Sequence, residues 1–344
     1  MKILNLNDYS GKLYYVGGVV RDFLLGVESK DVDFVYEGII EGTNEFGTIC
    51  ADGHDIAMTR CEEYPRPGHL PVITKLGCSL KEDAQRRDFT INALYKGVND
   101  GEILDFFGGL EDLKNKKLRV LHDRSFIDDP TRIIRGLKFA MRFGFELDEH
   151  TKALQDEYLA NVNYDMCYKR IKQELMDTLT SPEAFKRFIE QGIYKLVTLE
   201  LRHPELVSGS QEMLKRVQHD KMGWLVYAGI LCDLSRLDLT REEQKVVADY
   251  GNPQTDLEIY HAFEGAPREA VVLHGILKDE RGARRYLDVL QNIKLEITGD
   301  DLKALGIPPS PRYGEIFDRV LEQKFQNPSM TKEDELLAVR AIIL

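Results

Sequence analysis

Asp31 and Asp33 stand two residues apart in YYVGGVVRDFLLGVESKDVDFVYEG, residues 14–38. In an extended chain, residues i and i+2 project from one face, about 6.5 to 7 Å apart along the backbone. The two carboxylates are therefore able to converge on one divalent cation. Carboxylate oxygens suit Mg²⁺, which binds through one or two carboxylates together with substrate phosphates. A D-x-D pair alone is equally an ordinary solvated strand edge, so the weight comes from its neighbours. Gly17 and Gly18 let backbone N–H groups approach an anion closely at a helix start, where the dipole favours negative charge. Arg21, one turn on, is placed to reach the same anion. The glycines match neither G-x-G-x-x-G nor G-x-x-x-x-G-K-[ST], which sets aside dinucleotide and P-loop binding. A phosphate cradle beside metal-binding carboxylates points to nucleotidyl or phosphoryl transfer with Mg²⁺.

The elements that must position these groups follow from local pattern. KLYYVGG predicts a short strand ended by the two glycines, and VVRDFLL predicts two helical turns ended by Gly26. DVDFVYEG predicts a second strand with Asp31, Asp33 and Val35 on one face and Val32, Phe34 and Tyr36 on the other. HDIAMTR predicts a third. CEEYPRPGHLPVI, with three prolines and a glycine, reads as a loop or extended connector. LKEDAQRRDFTINALYKG is expected to be helical through its middle, and GEILDFFGG to be a hairpin strand ending at a glycine pair. From about Asp128 helical periodicity takes over without further strands. It begins in DDPTRIIRGLKFAMRFGF, where Pro130 follows two acids and Ile133, Ile134, Leu137 and Met141 recur at helical spacing. The expected architecture is α+β: a head with a mixed sheet and helices over 1–124, a helical neck over 125–185, and a helical body and tail over 186–344. Residues 201–222, LRHPELVSGSQEMLKRVQHDKM, read as a polar inserted element with no assigned function.

Composition narrows the class. The chain has 344 residues, 43% hydrophobic and 30% charged, as expected of a soluble globular protein. No apolar run approaches the roughly 18 to 20 residues that span a bilayer, and MKILNLNDYS lacks the form of a signal peptide. The cytoplasm is the expected location and no membrane partner is expected. Five scattered cysteines without a C-x-x-C pair argue against a zinc site or disulfide framework. A net charge of −12 argues against non-specific coating of nucleic acid, and no DNA partner is expected. A local exception runs from Lys114 to Arg142, with nine Lys or Arg against three Asp.

Five blocks in order, GGVVRDFLLG with DVDF, RRDFTINAL, LDFFGGLEDLKNKKLRVLH, FIDDPTRIIRGLKFAMRFGF and, more loosely, YKRIKQEL, resemble the motifs of the class II tRNA nucleotidyltransferase and bacterial poly(A) polymerase family. The resemblance covers residues 14–175 and is weak beyond about residue 185. It implies a polymerase β-like nucleotidyltransferase head. It also implies attack of an RNA 3′-hydroxyl on the α-phosphate of CTP or ATP, with Asp31 and Asp33 holding two metal ions. Asp55 matches the position of a third acid on the adjacent strand. Arg87 and Asp88 match positions that contact nucleotide phosphate and ribose, with Asn92 assisting.

Asp129 and Arg132 match a protein template for the base. A carboxylate accepts from the exocyclic amine of cytosine or adenine and a guanidinium donates to either ring edge, whereas uracil and guanine present the opposite polarity. Without the resemblance, the pair is an ordinary i,i+3 ion pair. Arg135 is implied to reach the triphosphate. Lys138 stands where relatives often carry arginine, so charge is kept but bidentate geometry is lost. Lys169 stands where a glutamate is common, and Arg170 and Glu174 read as braces of the neck. YKGVNDGEILDFFGG, in place of the basic stretch of poly(A) polymerases, favours tRNA end synthesis. The implied partners are CTP, ATP and the 3′ end, acceptor stem and elbow of tRNA, with Lys215, Arg216, Arg281, Arg284 and Arg285 as candidate RNA contacts. Full CCA addition is the preferred expectation. Partial addition (A only or CC only), poly(A) synthesis and a non-catalytic RNA-binding relative are the alternatives.

Overall fold

Strand β1 (Leu13–Val16) is the hub of a six-stranded sheet in the computed structural model, which describes residue 9 and residues 12–29, 31–203, 206, 210–217 and 220–343. Helix α1 (Gly18–Leu25) follows it directly. The sheet order is β3-β4-β2-β1-β7-β8, with β2 at Phe34–Tyr36, β3 at Thr48–Ala51, β4 at His54–Met58, β7 at Leu94–Gly97 and β8 at Ile103–Asp105. Only β2 and β4 run parallel; the other neighbours are antiparallel. Both faces of the sheet are covered. Phe34 packs with Leu13, Ile56 and Met58 on one face, while Val35 packs with Val16, Leu80 and Tyr95 on the other. Each such fully buried apolar side chain contributes roughly 1.5 to 3 kcal/mol.

The expected first strand, the helix after it and its Gly26 terminus are all present, with Gly26 in the left-handed conformation. The second strand is shorter than expected. Asp31 and Asp33 precede β2, although the Val16 N–H still donates to the Asp33 carbonyl at 3.1 Å and so fixes that backbone beside the end of β1. Strand β3 was not anticipated. It turns into β4 through Asp52 and Gly53, both at positive φ (49° and 80°), the conformation that Asp-Gly hairpin turns require.

The expected connector over 61–73 is irregular from 64 to 71, as expected, but its ends are the strands of a hairpin, β5 (Arg60–Glu63) with β6 (Val72–Leu76). Helix α2 (Leu80–Gln85) is held by a Ser79/Glu82 capping box and stops early. The reason is Asp88, whose carboxylate accepts the Phe89 N–H at 2.8 Å and so competes with the helical bond. A 3₁₀ turn, Thr90–Asn92, takes the place of the expected helix.

Past β8 come α3 (Gly109–Lys114), β9 (Lys117–Leu118), α4 (Ser125–Asp128) and α5 (Thr131–Phe143). Pro130 caps α5, Gly144 ends it at φ 68°, and Ile133, Ile134 and Leu137 are buried as the periodicity predicts. A two-residue strand, β10 (Glu146–Leu147), pairs with β9 and is the one extended element missed in that region. Helices α6 (Glu149–Ala160) and α7 (Tyr168–Thr178) follow.

The chain divides into two compact units: residues 1–178 with 186–199, and 179–185 with 200–344. The second unit is helical; its helix Gly223–Leu231 is buried almost throughout. Near the end of the chain Glu335 is fully buried, accepting the Glu296 and Ile297 N–H groups (2.8 and 2.9 Å) and the Lys324 ammonium. The segment read as an insertion, 201–222, lies partly outside the described residues. No helix among the described residues is long and apolar enough to cross a membrane.

Candidate active site

The first unit holds a cleft of about 580 Å³ lined by eight basic and five acidic side chains, a balance suited to a polyanionic ligand. Gly17, Gly18, Arg21, Asp31, Asp33, Arg87, Asp88, Asn92, Asp129, Arg132, Arg135 and Lys138 all line it, although they come from widely separated stretches. Asp55, on β4, does not line it. Its charge still reaches Asp33.

At one end of the cleft the chain turns from β1 into α1 at Gly17, whose φ of 72° a residue with a Cβ resists. An added Cβ would also lie 3.3 Å from Arg87 Nη1. Opposite stand Asp31 and Asp33, both exposed, with carboxylates that accept no hydrogen bond from a described residue. Although the Asp33 side chain reaches solvent, the protein packed around it raises its carboxyl pKa from the ordinary value; Arg87 opposes the rise, and the neighbouring Asp31 and Asp55 add to it. Unpaired acids that destabilise one another form a donor set that a bound cation relieves. Two carboxylate ligands beside a basic cleft fit Mg²⁺ completed by phosphate oxygens. Among the described residues no group of three or more His, Cys, Asp or Glu is arranged to hold a metal, so Asp55 stands outside any three-residue ligand set.

Across the floor runs a chain of charged and amide groups. Asp22 accepts Arg142 (3.1 Å) and Arg21 (2.7 Å); Arg21 donates to Asn92 Oδ1 (2.6 Å); the Asn92 amide donates to Asp88 (2.9 Å). Asp88 in turn accepts two bonds from Arg135 (2.8 and 2.6 Å), and Glu174 accepts Arg135 and Lys138 (both 3.1 Å). Lys138 ends the chain on Asp177 at 3.1 Å. Burial would raise the Asp88 carboxyl, but Arg135 and the Asn92 amide hold it at about 2.

Arg21 is 4% exposed and sits over the Phe139 and Phe143 rings at 5.1 and 4.7 Å. It is therefore a part of the cleft wall, held by Asp22 and Asn92. Glu174 braces Arg135 and Lys138 as foreseen. The basic run over 114–142 is not a free patch either. Lys117, Arg119, Arg124 and Arg142 pair with Glu146, Asp112, Asp128 and Asp22.

At the far end, Asp129 and Arg132 do not pair with each other. The Asp129 carboxylate accepts from Arg170 and from the Thr131 backbone N–H (3.1 Å) and hydroxyl. Arg132 donates to Ser125 Oγ (2.6 Å) and to the Arg86 carbonyl (2.8 Å). Arg170 thus does more than brace the neck: it lines the cleft and clamps Asp129. Arg170 Nη1 and Arg87 Nε are buried without a partner among the described residues, and such donors cost about 1 to 3 kcal/mol each unless a ligand or water meets them.

The tip of the β5–β6 hairpin closes this end and brings in Tyr64, Leu70 and Pro71, all from the stretch CEEYPRPGHLPVI. Burial, followed by the Asp129 charge, raises the Tyr64 hydroxyl pKa. The tip is fastened at Gly68, whose N–H donates to the Asp128 carbonyl (3.0 Å) and whose carbonyl accepts the Cys167 N–H (2.9 Å). Arg66 and His69 both bond Asp165 alongside. Gly68 has φ 78° and lies so close to Met166 that an added Cβ would meet its Cβ at 2.9 Å. The Pro-x-Pro-Gly spacing was the available signal for a shaped tip.

A mixed sheet that sets two bare carboxylates beside a glycine turn, with a basic cleft leading to a clamped Asp–Arg pair, defines a nucleotidyltransferase-type head. Residues 13–119 match the poly A polymerase head domain. An A-adding tRNA nucleotidyltransferase of Geobacter sulfurreducens is 33% identical over 399 residues, covering 95% of this chain and 45% of that protein. One of Halalkalibacterium halodurans is 29% identical over 358 residues, covering 88% and 82%. The chain thus spans less than half of the Geobacter protein and most of the other. A solved CCA-adding enzyme, apo form II, superposes with a TM-score of 0.78 at 26% identity, covering 96% of this chain and 92% of its own. A CCA-adding enzyme in complex with CTP superposes at 0.74 and 25% identity, covering 98% and 94%. Residues 13–119 thus match the poly A polymerase head domain, and the chain is similar in sequence and fold to tRNA nucleotidyltransferases and CCA-adding enzymes.

Proposed function

We propose that this chain is a template-independent RNA nucleotidyltransferase that adds C, C and A to the 3′ end of tRNA from CTP and ATP, acting in the cytoplasm. The observation that carries the reading is the state of Asp129 and Arg132: each is fixed by other groups, both face the cleft that holds Asp31 and Asp33, and neither is neutralised by the other. A carboxylate and a guanidinium held rigid in this way offer an acceptor and a donor to a base edge, so polarity selects cytosine and adenine.

The remaining roles follow from position. Gly17, Gly18 and Arg87 take the triphosphate, Arg135 supports it through Asp88, and Asn92 holds the ribose side. The 3′-hydroxyl oxygen of the RNA bonds to the α-phosphorus, the bond from that phosphorus to the bridging oxygen breaks, pyrophosphate leaves, and the hydroxyl proton passes to solvent. Asp31 and Asp33 would hold Mg²⁺, which when bound supplies activation of the hydroxyl and neutralisation of the leaving charge. Asp55 tunes Asp33 through its charge. Lys138, tied to Glu174 and Asp177, orients Arg135 and not the nucleotide.

On this reading residues 1–124 are the catalytic head, 125–185 the neck carrying the template, and 186–344 a body and tail for tRNA. Of the candidate RNA contacts, Arg216, Arg284 and Arg285 are held in ion pairs with Asp288, Glu212 and Asp256. Lys215 and Arg281 have no such partner among the described residues and are the better candidates.

A second reading is addition of the terminal A alone, favoured by the similarity to relatives that carry the A-adding name. The test supplies tRNA transcripts ending before the first C, after one C and after both, with Mg²⁺ and CTP, ATP or the two together. Two C and one A on the shortest transcript support the first reading. Activity confined to ATP on the CC-ended transcript transfers it to the second. Long A tracts point to poly(A) synthesis, and no incorporation on any transcript leaves a non-catalytic relative.

A further inference from the structure

Asp83 is one of the most deeply buried charges in the first unit, with 0% exposure, and it does not line the cleft. Its two oxygens take four donors. Oδ1 accepts the Arg60 backbone N–H (3.1 Å) and Arg86 Nε (3.0 Å); Oδ2 accepts Arg87 Nη2 (2.9 Å) and the Tyr95 hydroxyl (2.8 Å). Arg87, anchored there, lies over the Tyr95 ring at 5.5 Å and brings Nη1 against Gly17. Arg86, anchored on the other oxygen, offers its carbonyl to Arg132. One buried carboxylate therefore sits behind both ends of the cleft.

We propose that Asp83 is a positioning residue that aims Arg87 at the phosphates of the bound nucleoside triphosphate. The proposal rests on the reading of the cleft as a triphosphate site. An arginine side chain has four rotatable bonds, and freezing them on binding consumes affinity that a preformed anchor preserves. Asp83 supplies that anchor through Oδ2. The same atom is locked from behind by the Tyr95 hydroxyl at 2.8 Å, which also lies within hydrogen-bonding reach of Arg87. Replacing Asp83 by asparagine keeps the shape, removes the charge and turns an N–H₂ towards one of the guanidiniums, so Arg87 loses its fixed direction.

The test combines a double-mutant cycle with direct binding. Asp83→Asn, Arg87→Ala and the double variant are compared in kcat and KM for ATP on a CC-ended tRNA, and in ATP affinity by calorimetry with Mg²⁺. Asp83→Asn is expected to raise KM and weaken ATP binding by about tenfold or more with a smaller change in kcat. The double variant is expected within about threefold of Arg87→Ala alone, because the anchor matters only while Arg87 is present. Full multiplication of the two losses, or ATP affinity in Asp83→Asn equal to wild type, overturns the proposal. Tyr95→Phe covers the case in which Asp83→Asn does not fold. It should weaken ATP binding about two- to fivefold in the wild-type background and not at all with Arg87→Ala, and an equal loss in both backgrounds likewise overturns it. Failure of the wild-type protein to bind either ATP or CTP overturns the reading of the cleft itself, a result distinct from normal wild-type binding left unchanged by the Asp83 variant.

Discussion

Asp129 and Arg132 stand three residues apart around the start of one helix, yet each bonds elsewhere, Asp129 to Arg170 and Thr131, Arg132 to Ser125 and the Arg86 carbonyl. Two opposite charges at that spacing normally pair for a few tenths of a kcal/mol. Here the surroundings hold them apart and leave their polarity available to a ligand. Arg132→Ala should therefore lower the preference for CTP and ATP over UTP and GTP by about tenfold or more. Retained tRNA should stay within about twofold in a filter-binding assay. Selectivity equal to wild type would count against the template role.

Asp33 gives a pH prediction. Its folded-state pKa is raised by the protein packed around it and then by Asp31 and Asp55, so a proton competes with a cation up to a higher pH than for an ordinary aspartate. The Mg²⁺ concentration for half-maximal incorporation should rise as pH falls through that raised value and be flat above it. A raised carboxyl pKa also means the charged form is disfavoured in the folded state. Asp33→Asn should then abolish incorporation while lifting the thermal midpoint by about 1 to 3 °C. A lowered midpoint contradicts this account of the site.

Asp83 and Asp88 predict the acid limb of stability. Both are buried and held at about 2 by arginines, against an unfolded value near 3.9. A depressed carboxyl pKa contributes stability that is complete above the unfolded value and lost as pH falls through the folded one. Each should contribute on the order of 2 kcal/mol at neutral pH, lost between about pH 4 and 2. Urea titrations followed by circular dichroism should show this slope in wild type and a flatter one in Asp88→Asn; identical slopes would remove Asp88 from the account.

Gly17→Ala should cost about 1 kcal/mol through its positive φ. It also drives a methyl against Arg87 Nη1. The expected signature is an increase in KM for both nucleotides larger than the fall in thermal midpoint implies. A change in stability alone, with KM untouched, would show that the turn serves the backbone only.

Much of this site was legible because its residues lie in short blocks with mechanisms attached. The Gly17–Gly18 turn, the Asp31–Asp33 spacing and the Pro130-started helix each follow from local chemistry, and the cleft gathers twelve of the thirteen residues named from sequence. What was not legible has one cause. The bonds of Arg21 to Asn92, 71 positions away, and of Lys138 to Asp177, 39 positions away, join residues far apart in sequence. Long-range partners leave no trace in local spacing. The β5–β6 hairpin was hidden by the prolines at its tip, and β3 by a strand only four residues long, although Asp52–Gly53 marked its turn. Asp83 escaped notice because an acid before two arginines reads as a solvated helix face; only its depth shows otherwise.

The chain of groups across the cleft floor has a consequence for synthesis on the ribosome. It links Asp22 on α1 to Arg142, 120 positions on, and Lys138 to Asp177 on α7. The sheet is complete by Asp105, yet the cleft draws side chains from two later helices, α5 and α7. A nascent head can thus fold well before it can hold a nucleotide, and competence arrives only when α7 has left the exit tunnel.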